Sequence, residues 1–161
     1  VNRPTWSHHW MAAAHLAAEM STCASGRRVG AVVVKGNRQL TSGFNGVPAS
    51  APHPTICLRR LESIPSGHDP HRCGCQHAEA NAISQAAKHG ISLDGGTLYA
   101  TCQPCRGCMG QLINAGIKRV IFEGDYPDDD ARVFAEHAGV ELIQIDSLSL
   151  AGFGGELPCR G

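Results

Sequence analysis

The residues able to do chemistry lie in two short segments. The first holds His77, Ala78 and Glu79, and the second holds Pro104, Cys105, Arg106, Gly107 and Cys108. One imidazole and two thiolates make three strong zinc ligands, and an ion held by three side chains keeps a fourth tetrahedral position for water. Cysteines three apart at a helix N-terminus can face one ion, and the positive end of that helix favours their thiolate forms. Glu79 stands two residues after His77, too close to act easily as another ligand and near enough to reach a water on the ion. Zinc brings the pKa of such a water from ~16 to near 7. A carboxylate beside it then has a proton to take and to deliver. The expected centre is His77, Cys105 and Cys108 around zinc, with Glu79 as catalytic proton shuttle. A structural zinc knuckle, or buried thiols without metal, would use the same cysteines, but neither needs an acid beside an open position.

Helices must present these side chains. The pattern predicts helices over 77–89 and 105–115, stopped by Gly90 and Gly116, so both chemical segments open a helix. An alanine-rich helix is expected over 7–20 with Ser7 as its N-cap. A β-branched run over 29–34 leads through a Gly36-Asn37 hairpin turn into a strand over 39–44. Strands over 97–101, 118–122 and 140–145 alternate with the 105–115 helix and another over 129–137, which points to parallel crossovers. The expected fold is α/β: a three-layer α/β/α domain over 1–146 with a mixed sheet of about five strands, its site at helix N-termini beside strand ends. Residues 46–76 carry five prolines and little periodicity, and so long a connection needs a function or a metal staple. Residues 147–161, with scattered glycines, read as a loose tail.

Composition narrows the classes of function. Acidic and basic side chains balance at fourteen each. A neutral chain lacks the basic footprint of a protein that grips long nucleic acid by its phosphates, so a small-molecule substrate is expected. No apolar leader opens the chain and no run of about 18 apolar residues could span a membrane. The expectation is a cytoplasmic protein whose eight cysteines, close to nine histidines, bind metal instead of forming disulfides.

His77-Ala78-Glu79 with Pro104-Cys105-Arg106-Gly107-Cys108 is the H-x-E…P-C-x-x-C pattern of zinc deaminases. With Ser21-Thr22-Cys23, the strand after Val29, Gly43-Phe44-Asn45-Gly46, the segments 77–83 and 101–108, and the run 115–121, the chain resembles the cytidine/deoxycytidylate deaminase superfamily. Within it, the Phe44-Asn45-Gly46 turn and the cysteine-bearing insert before His77 are similar to dCMP deaminases, which usually have Tyr where Phe44 stands. The resemblance covers about 10–145. It implies hydrolytic deamination of dCMP to dUMP and ammonia by zinc-bound hydroxide, with Glu79 moving the protons. Alternatives are another cytosine nucleotide (dCTP or 5-methyl-dCMP), a nucleobase or nucleoside, or a non-enzymatic, zinc-stapled binding module.

The resemblance also implies a substrate site and partners. Asn45 would bind the deoxyribose, backbone at Ala78 the base, Arg28 the phosphate with Arg27 as rival, and Tyr126 would stack on the base. Asn45 could equally be a turn residue bonding local backbone, and either arginine or Tyr126 a surface residue. A second, structural zinc is implied at Cys23, Cys57 and Cys73, with His53 as fourth ligand and His68, His71 and Cys75 as substitutes. Cys102 and Cys159 have bland readings, as a strand-end thiol and a tail thiol. A homo-oligomer, commonly a hexamer in the family, and the effectors dCTP and dTTP complete the expectation.

Overall fold

The structure, a computed structural model, describes residues 3–147. The predicted tail beyond 147, with Cys159, lies outside the described residues. Five strands form one sheet in the order β2-β1-β3-β4-β5: β1 (Gly30–Lys35), β2 (Arg38–Phe44), β3 (Thr97–Cys102), β4 (Arg119–Gly124) and β5 (Glu141–Gln144). β1 pairs antiparallel with both β2 and β3, whereas β3, β4 and β5 run parallel. The expected mixed sheet is therefore borne out. At the hairpin, Gly36 and Asn37 have φ of 55° and 58°. Two successive positive values match a primed turn, whose twist suits the flanking strands.

Helices cover both faces. α1 (Trp6–Ala18) lies on one side, where Met11 and Ala14 pack with Val32, Val34, Tyr99 and Ile121. The other side carries α3 (Ala78–Lys88), α4 (Arg106–Asn114) and α5 (Asp129–His137). There Ala31, Val33, Leu98, Val120 and Phe122 meet Ala86, Met109, Leu112 and Ala135. Alternate residues of β1 thus face opposite layers, as a period of two requires, and the strand is buried on both. Among the described residues no helix is long and apolar enough to cross a membrane.

Two expected boundaries moved. α1 begins at Trp6, because the Thr5 hydroxyl, and not Ser7, accepts a hydrogen bond from the His8 amide at 3.2 Å and acts as N-cap. The connection over 46–76 is not wholly irregular either. It contains a four-residue helix, α2 (Leu58–Leu61), and a 3-10 turn at Pro70–Cys73. Its ends are joined: Gly46 and Gln76 exchange two backbone hydrogen bonds of 3.1 and 2.8 Å. The excursion therefore closes at its base immediately before His77, so its length does not loosen the residues that follow.

Close backbone contact fixes the catalytic layer. A Cβ at Gly43 of β2 would lie 2.2 Å from the Ala78 carbonyl oxygen and 2.5 Å from the Ala82 nitrogen. Only glycine lets the first turns of α3 lie this close to the sheet. At the same end, Asn81 donates to the Phe44 carbonyl at 2.8 Å. The start of α3 is thereby held against the end of β2.

Candidate active site

His77 and Cys105 are the N-cap residues of α3 and α4, with extended backbone and no side-chain bond to their own helix. Both side chains are free to turn toward each other, and the positive ends of two helices converge on the same space. His77 Nδ1 lies 3.5 Å from Cys105 Sγ and 3.4 Å from Cys108 Sγ. Tetrahedral zinc holding one nitrogen and one sulfur separates them by about 3.6 Å, so the donor set fits zinc in both chemistry and spacing.

A hydrogen bond from Cys108, helped by one from His77, holds the Cys105 thiol down at about 4. Cys108 is pushed up by the same bond and by burial. The bond to Cys105 also raises His77. Zinc binds cysteines as thiolates, so a cation held here would displace the Cys108 proton. Glu79, 3% exposed in the first turn of α3, is raised above the usual carboxylate range by burial.

His77, Glu79 and Cys105 line an open pocket of about 90 Å³, which Asn45, Ala78 and Tyr126 also line. Asn45, 8% exposed, accepts from the Val29 amide through Oδ1 and donates to the Arg27 carbonyl through Nδ2, both at 2.8 Å. It therefore makes the local backbone bonds of a turn residue and borders the pocket as well. Arg28 turns away: it is exposed and ion-paired with Glu19. Arg27 borders the pocket, with its guanidinium 5.6 Å from the centre of the Tyr126 ring.

A second thiol group forms another part of the wall. Cys23, Cys73 and Cys75 lie within 4.8 Å of one another, with Cys23 and Cys73 at 3.4 Å. Buried Cys57 stands 3.9 Å from Cys73. Tetrahedral zinc–thiolate geometry separates sulfurs by about 3.8 Å, which these contacts approximate. Burial raises Cys73 to about 11 and raises Cys75 further, whereas Ser25 hydrogen bonds hold Cys23 down against its own burial. Cys75, a substitute ligand in the sequence reading, occupies the place expected for His53. His53 and His68 are exposed and belong to neither metal-binding group among the described residues.

Three further residues escaped the sequence reading. Arg59 of α2 borders the pocket, although the insert that carries it has no periodic signal. Gln103, just before Pro104, donates through Nε2 to the carbonyls of Tyr126 and Asp128 at 3.3 and 3.1 Å. Asp128 accepts from the Arg106 amide at 2.7 Å and from the Ala131 amide at 3.3 Å, capping α4 and α5 together. Gln103 and Asp128 thus hold the Tyr126 loop against the helix bearing Cys105 and Cys108. The aspartate at the start of a predicted helix was the visible clue.

The family model for the cytidine and deoxycytidylate deaminase zinc-binding region matches residues 4–123, and the chain belongs to that family. A deoxycytidylate deaminase of Mycobacterium phage D29 is 38% identical over 127 residues, covering 76% of this chain and 97% of the relative. One from Schizosaccharomyces pombe is 35% identical over 145 residues, covering 88% of this chain; the chain spans only 44% of that relative's length. The solved dCMP deaminase of cyanophage S-TIM5, in complex with dCMP and dUMP, is similar with a TM-score of 0.74 and 31% identity, covering 90% of this chain and 100% of that one.

Proposed function

We propose that the chain, through its domain over 1–146, hydrolyses dCMP to dUMP and ammonia. The observation that carries this reading is Glu79, a carboxyl buried beside the His77, Cys105 and Cys108 donor set and bordering the same pocket as Asn45 and Tyr126. Zinc held by those three side chains supplies a Lewis acid and makes water a nucleophile at neutral pH. Glu79 takes a proton from the water and passes it to ring N3 as oxygen bonds to C4. It then carries the second proton to the exocyclic nitrogen. The C4–N4 bond breaks, ammonia leaves, and the C4 carbonyl of dUMP remains.

The other wall residues orient the substrate. Backbone at Ala78 meets the base, Asn45 faces the sugar and Tyr126 stacks on the ring; an aromatic there contributes ~1–3 kcal/mol. Arg27 replaces Arg28 as the phosphate partner, because Arg28 is occupied by Glu19. A second zinc at Cys23, Cys57, Cys73 and Cys75 belongs to the same reading, as do a cytoplasmic homo-oligomer and regulation by dCTP and dTTP. Metal analysis should find two zinc ions per chain, and sedimentation with and without nucleotide tests the assembly. Ammonia release should be measured with dCMP, dCTP, 5-methyl-dCMP, cytidine and guanine. Turnover highest with dCMP is expected, and no turnover of any deoxycytidylate refutes the reading.

A further inference from the structure

Two consecutive residues, Cys102 and Gln103, hold the loop that carries Tyr126. The Gln103 amide donates to the Gly124 carbonyl at 2.7 Å, and the Cys102 thiol donates to the Asp125 carbonyl at 3.5 Å. Gln103 Nε2 reaches two more carbonyls, those of Tyr126 and Asp128, at 3.3 and 3.1 Å. Four carbonyls within residues 124–128 therefore accept from one dipeptide. Cys102 ends β3, and Gln103 leads through Pro104 into Cys105. The template for the loop is thus continuous with a thiol of the metal-binding set. From the other side, Asp128 accepts from the Arg106 amide at 2.7 Å, so loop and helix start grip each other across Pro104.

The Gln103 side chain is the part of this template that depends on residue type. It is 3% exposed. Both of its partners are carbonyls, so the amide must turn its nitrogen toward them. Oε1 then faces the other way, and it is buried with no donor among the described residues. A buried acceptor left unpaired costs stability, and a hydrocarbon side chain of similar length would avoid that cost. What explains the amide is what its nitrogen holds, the backbone on either side of Pro127. Tyr126 borders the pocket, and a small shift in the backbone of an aromatic residue changes how closely its ring approaches a stacked partner.

We propose that Gln103 is a positioning residue. By holding the Tyr126 backbone in register with Cys105, it sets where the ring meets the base relative to the His77, Cys105 and Cys108 donor set. It acts through Tyr126 and touches neither substrate nor metal. This role rests on the reading of Tyr126 as the stacking residue of a dCMP site.

A double-mutant cycle in KM for dCMP tests it, with Gln103→Met and Tyr126→Leu made singly and together. Tyr126→Leu should raise KM about 5- to 100-fold as stacking is lost. Gln103→Met should raise KM about tenfold, with kcat within about threefold of wild type and zinc content unchanged. In the Tyr126→Leu background the same substitution should add less than about threefold, because no ring is left to place. Additive losses, a KM for Gln103→Met equal to that of wild type, or a fall in kcat that tracks lost zinc each overturns the proposal. Should Gln103→Met not fold, judged by melting, Gln103→Glu carries the test. It keeps the shape and removes the donor, so the same selective, non-additive rise is expected and its absence overturns the proposal. Hydrogen exchange adds a readout that needs no turnover. The amides of residues 124–128 should exchange faster in either variant while those of α3 stay unchanged, and equal exchange throughout overturns the positioning role. If wild type turns over no deoxycytidylate, the functional reading fails by itself, and the exchange measurement still decides what Gln103 holds.

Discussion

At Glu79, burial and chemistry pull in opposite directions. Removed from water, the carboxyl prefers its neutral form, yet a proton shuttle must ionise at neutral pH. The sign follows from linkage: a group whose folded pKa is raised stabilises the fold below its unfolded pKa, and that contribution is lost as pH climbs through the folded value. Above that value the metal-free protein bears the cost of a buried charge. Glu79→Gln should therefore lower kcat about 10²- to 10⁴-fold while keeping zinc, and should raise the melting temperature of the metal-free protein near neutral pH. Full activity with zinc retained would show that Glu79 moves no proton. The ligands predict a second trend. Cys108 and Cys73 hold protons that zinc must displace, so zinc affinity should fall about tenfold per pH unit for each proton displaced as the solution is acidified. Competition against a chelator at a series of pH values measures it.

Among the elements, the turn between β4 and α5 carries more than its length suggests. Asp128 caps both helices, and each N-cap contributes about 0.5–2 kcal/mol. Asp128→Ala should cost about 1–3 kcal/mol in denaturant unfolding and Asp128→Asn clearly less, since an amide oxygen still accepts. Gly43→Ala is expected to be worse for the site. The added methyl meets the backbone of Ala78 and Ala82, so α3 must shift and carry His77 and Glu79 with it. Weakened zinc retention together with a lowered melting temperature is the expected result, read by metal analysis and thermal unfolding. These elements also mark what the sequence disclosed. The H-x-E and P-C-x-x-C spacing located the candidate site, and the periods of 77–89 and 105–115 placed both segments at helix starts. Thr5 and Ser7 are equally good caps by type, and only the fold of the preceding residues chose between them. Arg59 was hidden because an irregular segment points its side chains by tertiary contact. Cys75 and His53 were both possible ligands until the path of the loop excluded the histidine from the group.

At the scale of the whole molecule, two groups of side chains with metal-ligand chemistry border one pocket. Metal bound only by the folded state adds to stability by mass action, so exhaustive chelation should lower the melting temperature and broaden the transition. Zinc restored at two equivalents should recover the original curve. The sheet explains why the catalytic group tolerates its neighbours. Gly46 and Gln76 meet across the base of the insert, so the chain leaves and rejoins the core at one point. Everything between is one excursion, closed at its base as if by a clasp and tied to the scaffold again where Cys73 and Cys75 meet Cys23. Arg59, Cys57, Cys73 and Cys75 reside within it, whereas His77, Glu79, Cys105 and Cys108 lie outside. Lineages could therefore rewrite which molecule is welcomed while the bond-breaking apparatus is inherited untouched, and grafting a different loop across the same clasp is the natural route to a new substrate.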